Sequence, residues 1–370
     1  MTGPIFDTHA HYSAHAFDAD RTALLDSLPG KGVVGVCEQA THSGDAPRVL
    51  ELAHTYPWVW AAIGIHPESL LAAADCGEDG PAPTVSVYGG DWAAEMKALA
   101  PYYDDPRVVA VGECGLDYHW PVPKDAQLAL FEAEIRLALE LDKPIIVHDR
   151  NAHADVYALL KQYRPKGIVH CYSGSADDAL WLAKQGLYLG FGGACTFKGA
   201  KRAAKAIAAL PLERIVLETD CPYMAPEPVR GTRCDSSLIR YVGEYIAAVK
   251  GVEPDEVFRI TCENAKAVYG IRTVSLLDKT LQNQQTVNKE TYLMKARIPK
   301  HREFIINFPD SIDQNKANEG WAKLQQIVED YKKDHNGASV YSPTFIDDCE
   351  ADVKKLQEEY GFEYTVEYVK

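Results

Sequence analysis

The sequence contains no C-x-x-C pair, although it has nine cysteines. An odd number of scattered thiols predicts a reducing, cytoplasmic setting and argues against a disulfide framework or a cysteine-built zinc site. No apolar run is long enough to cross a bilayer, so no membrane partner is expected. The first residues turn polar and acidic within a few positions, which is not the pattern of a signal peptide. Positive charge is scarce: 38 Lys and Arg face 53 Asp and Glu, a formal net charge of −15. Proteins that coat nucleic acid are usually basic, because phosphate neutralisation supplies most of their affinity. Bulk charge therefore excludes coating, and leaves room for an enzyme that handles nucleic acid through a metal and a few local cations. No glycine-rich phosphate loop is present, and no serine stands in the setting of a nucleophile elbow.

What is present is a repeating alternation. At 370 residues, one large domain and a small one are expected. Candidate strands are 5–9, 33–37, 59–65, 108–113, 144–148, 167–171, 187–192 and 215–220. Several are apolar nearly throughout, as strands covered on both faces should be. Amphipathic stretches lie between them. The clearest is 127–141, with Leu130, Ile135, Leu137, Ala138 and Leu141 on an apolar face among Glu132, Glu134, Arg136 and Glu140. This pattern predicts an α/β fold, a (β/α)8 TIM barrel over residues 1–272, with an open doubly wound sheet as runner-up. Residues 72–90, rich in Ala, Gly and Pro, read as a surface insertion on the active-site rim. A last barrel helix ends at Gly270. A polar linker, 273–291, leads to a small α+β domain, 292–370, with strands at 303–308 and 364–369 and helices at 321–331 and 348–360. That unit carries no catalytic motif.

In a parallel barrel, function collects at the C-terminal strand ends. His9 and His11 close the first strand, and side-chain alternation puts them on one face. Glu113 closes the fourth, His148 the fifth, His170 the sixth and Asp220 the eighth. Polar groups at the ends of apolar strands would be costly if unpaired. Convergence on metal removes that cost, and four imidazoles with two carboxylates suit two divalent ions: zinc, magnesium or manganese.

The segments around Asp7–His11, Gly64–Pro67, Gly112–Tyr118, Pro144–Arg150, His170–Gly174, Phe191–Lys198 and Glu218–Pro226, with Arg230-Gly231 after them, resemble the TatD family of metal-dependent deoxyribonucleases. The similarity runs from about Gly3 to Arg272 and keeps the family's motif order. The resemblance implies that His9, His11, Glu113 and Asp220 hold one metal, and that Glu113, His148 and His170 hold the other, with Glu113 bridging. After Arg230-Gly231 this chain carries Thr232-Arg233-Cys234-Asp235 where the family tends to have an Asn-rich turn. The 292–370 unit lies outside the family pattern.

Two metals a few Å apart suit an in-line phosphoryl displacement by an activated water. Asp220 is the candidate to orient or deprotonate that water, and Asp220 and Glu113 are the expected catalytic carboxylates. His66, Arg150, Lys198 and Arg230 are candidates for phosphate contact. Asp7, on the face of His9 and His11 by parity, is expected to orient an imidazole. Asp117 is expected to hydrogen-bond within its loop. Cys114, Cys171 and Cys221 read as packing residues behind the barrel. The leading expectation is hydrolysis of DNA from an end of a single strand. The alternatives are another ester or amide at the same site, such as aminoacyl-tRNA, or a protein-binding role centred on residues 292–370.

Overall fold

The computed structural model describes residues 3–71, 88–271, 292–294, 302–307 and 363–368, with the single helical positions Lys323, Gln326, Lys354, Lys355 and Glu359. Two compact units divide the chain, Met1–Thr273 and Val274–Lys370.

In the first unit, eight parallel strands pair in sequence order: β1 (Ile5–Ala10), β2 (Val33–Gln39), β3 (Val59–Ile63), β4 (Val108–Asp117), β5 (Ile145–Arg150), β6 (Gly167–Val169), β7 (Tyr188–Phe191) and β8 (Ile215–Leu217). The ring closes just past the end of β8. Ala10 bridges Cys221 in parallel, the Asp220 N–H donates to the His9 carbonyl and the His11 N–H donates to the Cys221 carbonyl. The sheet is thus a nearly closed barrel.

Nine helices among the described residues follow the strands: α1 (Arg21–Ser27), α2 (Ala46–Thr55), α3 (Trp92–Leu99), α4 (Lys124–Glu140), α5 (His153–Tyr163), α6 (Ala176–Lys184), α7 (Lys201–Ala209), α8 (Ile239–Lys250) and α9 (Pro254–Val268). One apolar cluster gathers residues from seven strands: Phe6, Cys37, Ala62, Ala110, Ile146, Ile168 and Val216. Cys262, Ala265 and Val268 of α9, with Tyr269 just beyond it, pack on this cluster. The Tyr269 hydroxyl donates to the Thr8 carbonyl at 2.7 Å, tying the last helix to the first strand. The larger cluster fills the layer between strands and helices. Glu134 departs from the polar face expected of α4. It is buried and accepts the Ile65 N–H at 2.8 Å, next to His66.

Two pairing irregularities matter for the site. In β1 the register slips between Asp7 and Ala10, and in β4 between Val111 and Cys114. Strict alternation from Phe6 and Ala110, which face the interior, would turn His9 and Glu113 outward. The irregularities re-aim them, as bulges commonly do beside functional sites. Asp7 stays on the outer face. Its carboxylate accepts from Thr219 N and Oγ1, Ser236 Oγ and the His9 backbone N–H, and it contacts no imidazole. The parity expectation for Asp7 is therefore corrected: it bolts the seam between the first and last strands.

In the second unit, β9 (Tyr292–Met294), β10 (Arg302–Asn307) and β11 (Glu363–Tyr368) form an antiparallel sheet in the order β11-β10-β9. The expected insertion at 72–90 falls largely outside the described residues, as does the expected linker at 273–291. The expected helices at 321–331 and 348–360 do too, apart from the single helical positions named above.

Candidate metal centre

Glu113 lies at the middle of the barrel mouth, and each of its carboxylate oxygens meets its own set of imidazoles. Oε2 is 3.1 Å from His9 Nε2 and 3.5 Å from His11 Nε2. Oε1 is 2.9 Å from His148 Nδ1 and 3.1 Å from His170 Nε2. Asp220 completes the first set, with Oδ1 at 3.2 Å from His11 Nε2 and 3.8 Å from His9 Nε2. His66 Nε2 stands 3.7 Å from Glu113 Oε1 on the other side. All six expected ligand residues therefore converge.

The local sequence explains how the strands bring them so close. Gly64 on the way to His66 lies against Gly112, where a Cβ would come within 2.7 Å of the Gly112 Cα. Gly115 has φ +149, and a Cβ there would sit 2.1 Å from the His148 carbonyl oxygen. Asp220 and Cys171, each beside or within the cluster, adopt left-handed backbone with φ 59 and 45. Such conformations persist where surrounding structure fixes them, and they gather at functional sites.

The donor set fits cations. His9 Nε2 faces His11 Nε2 at 3.2 Å as well as Glu113 and Asp220. One ring nitrogen carries at most one proton and cannot satisfy three neighbours. Ligand bonds of about 2.0–2.2 Å around one divalent ion put donor atoms about 3–3.5 Å apart, which matches most of these separations. The donor atoms of His9, His11 and Asp220, and those of His66, Glu113 and His148, each lie within 4.8 Å of one another.

Protonation in the metal-free protein follows the same charges. Burial opposes charging of His11, yet the Asp220 and Glu113 carboxylates hold it up to about 9. Burial likewise opposes charging of His148, and Asp117 and Glu113 hold it up to about 9. Burial works against ionisation of Glu113, but the surrounding imidazoles keep it well below the usual carboxylate range. Burial, helped by His148, pushes His66 down to about 3, so it is neutral at pH 7. Its Nδ1 accepts the Glu68 N–H, which leaves the proton on Nε2, aimed at the centre.

Partners outside the six orient them. Asp117 is more than a loop residue: β4 runs on to it, and its Oδ2 meets His148 Nε2 at 3.0 Å while its Oδ1 accepts from the His119 and Trp120 N–H groups. With a cation in place of the Nδ1 proton, this contact would keep the remaining proton on Nε2 and turn the Nδ1 lone pair to the site. Glu218 and Glu38 are two buried carboxylates missed in the sequence. Glu218 Oε1 stands 3.6 Å from His170 Nδ1. Glu38 accepts from the backbone N–H groups of Tyr12 and Ser13, the two residues after His11. Removing Asp117 should be felt on one side only. Asp117→Ala is expected to weaken cation binding on the His148 side about 10- to 100-fold, with the His9–His11 side retained, as read by chelator competition. Equal weakening of both sides would contradict this separation.

The centre opens into a cavity of about 740 Å³. His66 and Arg150 line it, while Lys198 and Arg230 do not. Lys198 is exposed, and the Arg230 guanidinium lies over the Phe197 ring at 4.1 Å. Cys114 and Cys221 are buried as expected, but Cys171 lines the cavity.

The sequence model of TatD related DNase matches residues 6–270. The chain is 38% identical over 271 residues to the uncharacterized metal-dependent hydrolase YabD of Bacillus subtilis (strain 168), covering 72% of this chain and 99% of that protein. It is 26% identical over 277 residues to a protein of Erwinia tasmaniensis named 3'-5' ssDNA/RNA exonuclease TatD, covering 72% and 100%. Among solved structures, the TatD homologue YJJV of Escherichia coli K12 superposes with a TM-score of 0.63 at 27% identity, covering 72% of this chain and 98% of that one.

Proposed function

Because the chain belongs to the TatD related DNase family and is a metal-dependent hydrolase of that kind, we propose that it hydrolyses phosphodiester bonds of single-stranded DNA, working from a strand end. The observation that carries this reading is the division of Glu113: one oxygen faces His9 and His11, the other His148 and His170. His9, His11, Glu113 and Asp220 would hold one divalent cation, and Glu113, His148 and His170 the second. When bound, such a pair lowers the pKa of water and stabilises the attacking and leaving oxygens of an in-line displacement at phosphorus.

The chain's own groups divide the remaining work. Asp220 takes the proton from the attacking water, since its carboxylate lies at the edge of the cluster and lines the cavity. His66, neutral and with its Nε2 proton aimed inward, donates to a non-bridging phosphate oxygen. Arg150 lines the cavity two residues beyond His148 and contributes positive charge to the same phosphate. Lys198 and Arg230 stand away from the cavity wall and take no part at the scissile phosphate. The attack breaks a P–O bond, leaving a phosphate monoester and an alcohol. The end-directed reading draws support from the relative named as a 3'-5' ssDNA/RNA exonuclease.

The test uses single-stranded DNA labelled at either end, with added magnesium, manganese or zinc and with chelator. Progressive shortening from one end, abolished by chelator, is expected. Intact DNA alongside turnover of a carboxylic ester or a cyclic amide would move the assignment to another bond.

A further inference from the structure

Two large aromatic side chains stand in the wall of this cavity, and the proposed chemistry uses neither. Trp120 lies three residues after Asp117 and is half-buried. Tyr223 lies three residues after Asp220 and is 55% exposed. The exposed part of the Tyr223 ring keeps apolar surface in water that a stacked ligand would cover, whereas Trp120 packs one part of its ring against the core and leaves the rest at the cavity.

Each residue is held through its main chain to a carboxylate-bearing residue of the centre. The Trp120 backbone N–H donates to Asp117 Oδ1 at 3.3 Å, and the other oxygen of the same carboxylate holds His148. The Tyr223 N–H donates to the Asp220 carbonyl at 3.0 Å. Trp120 follows β4 and Tyr223 follows β8, four strands apart in a ring of eight, so their backbones leave the sheet on opposite sides of the mouth. The Arg150 guanidinium lies over the Trp120 ring, 5.8 Å from its centroid, so a cation already caps one aromatic face.

We infer that Trp120 and Tyr223 form a two-sided stacking clamp that seats the nucleobases flanking the scissile phosphate, one ring to each base. The inference rests on the phosphodiesterase reading and adds to it a minimal substrate with a base on both sides of the bond. Stacking suits this role because every nucleobase has a π-face, so the clamp tolerates sequence while selecting nucleic acid over simple phosphodiesters. Room is available, since about 740 Å³ lies in the upper part of the range for small-ligand sites.

The test uses metal-loaded full-length protein with the dinucleotide TpT and two analogues, each with hydrogen in place of one base. Trp120→Ala should raise KM for TpT by between about 5- and 100-fold, with a much smaller rise on one analogue. Tyr223→Ala should do the same, with its loss blunted on the other analogue. Trp120→Phe and Tyr223→Phe should restore most of the binding, which a purely structural defect would not predict. Equilibrium binding of phosphorothioate-linked TpT, followed by tryptophan fluorescence, should show the same pattern without turnover. Equal losses on base-bearing and base-free substrates, or dependence of both variants on the same base, overturn the clamp while leaving the phosphodiesterase reading intact. If the wild-type protein neither binds nor cleaves any of the three, both readings fall together.

Discussion

Glu113→Ala is expected to lose both bound cations at once, with activity reduced by at least roughly a thousandfold, equivalent to several kcal/mol of transition-state stabilisation. No other residue of the cluster should do this, because only Glu113 offers an oxygen to both imidazole sets. The substitution also removes the negative charge that four histidines share. His9 and His170 stack at 3.8 Å, and His148 lies 5.8 Å from His170. Without the carboxylate, protonating these rings becomes a like-charge problem in a buried place. The variant should therefore be checked by circular dichroism and by elemental analysis together. A folded protein with two cations and normal turnover would end the dinuclear reading. A folded protein with one cation would reassign Glu113 to a single site.

Asp220→Asn tests a different link. The amide keeps an oxygen to face His11, but it cannot take a proton from water. Cation content is expected to stay close to that of the wild type, while turnover falls by about 100- to 10,000-fold, the span typical of a lost general base. Should both cation content and turnover fall in parallel, Asp220 acts as a ligand only, and proton transfer belongs elsewhere. Should turnover persist, the carboxylate is not the base.

The alternation of apolar strands and amphipathic helices carried most of the barrel, because strands covered on both faces write themselves as continuous apolar runs. The six convergent residues were legible for a related reason: a barrel leaves few ways for polar strand-end groups to go except toward one another. What escaped depended on backbone detail that composition does not encode. Asp7 was misplaced because alternation was assumed to hold through β1, whereas the register slips after Asp7 and turns His9 and His11 inward without it. Asp117 was read as a loop residue because β4 was expected to end at Glu113, and the slip between Val111 and Cys114 lets the strand run on. Glu218 and Glu38 sit within apolar strand surroundings and had no spacing signal to mark them. Lys198 and Arg230 followed resemblance and proximity along the chain, neither of which fixes where a long side chain points.

The seam bolted by Asp7 has a consequence for how the protein is made. His9 and His11 stand near the start of the chain, Asp220 more than two hundred residues later, and the groups that lock them together, Ser236 and Tyr269, later still. During synthesis on the ribosome the first candidate ligands emerge long before their counterparts exist. An unfinished chain therefore holds two histidines without a complete centre, and hydrolytic competence arrives only when the last barrel helix docks beneath the first strand. The topology delays the chemistry until the fold that confines it is complete.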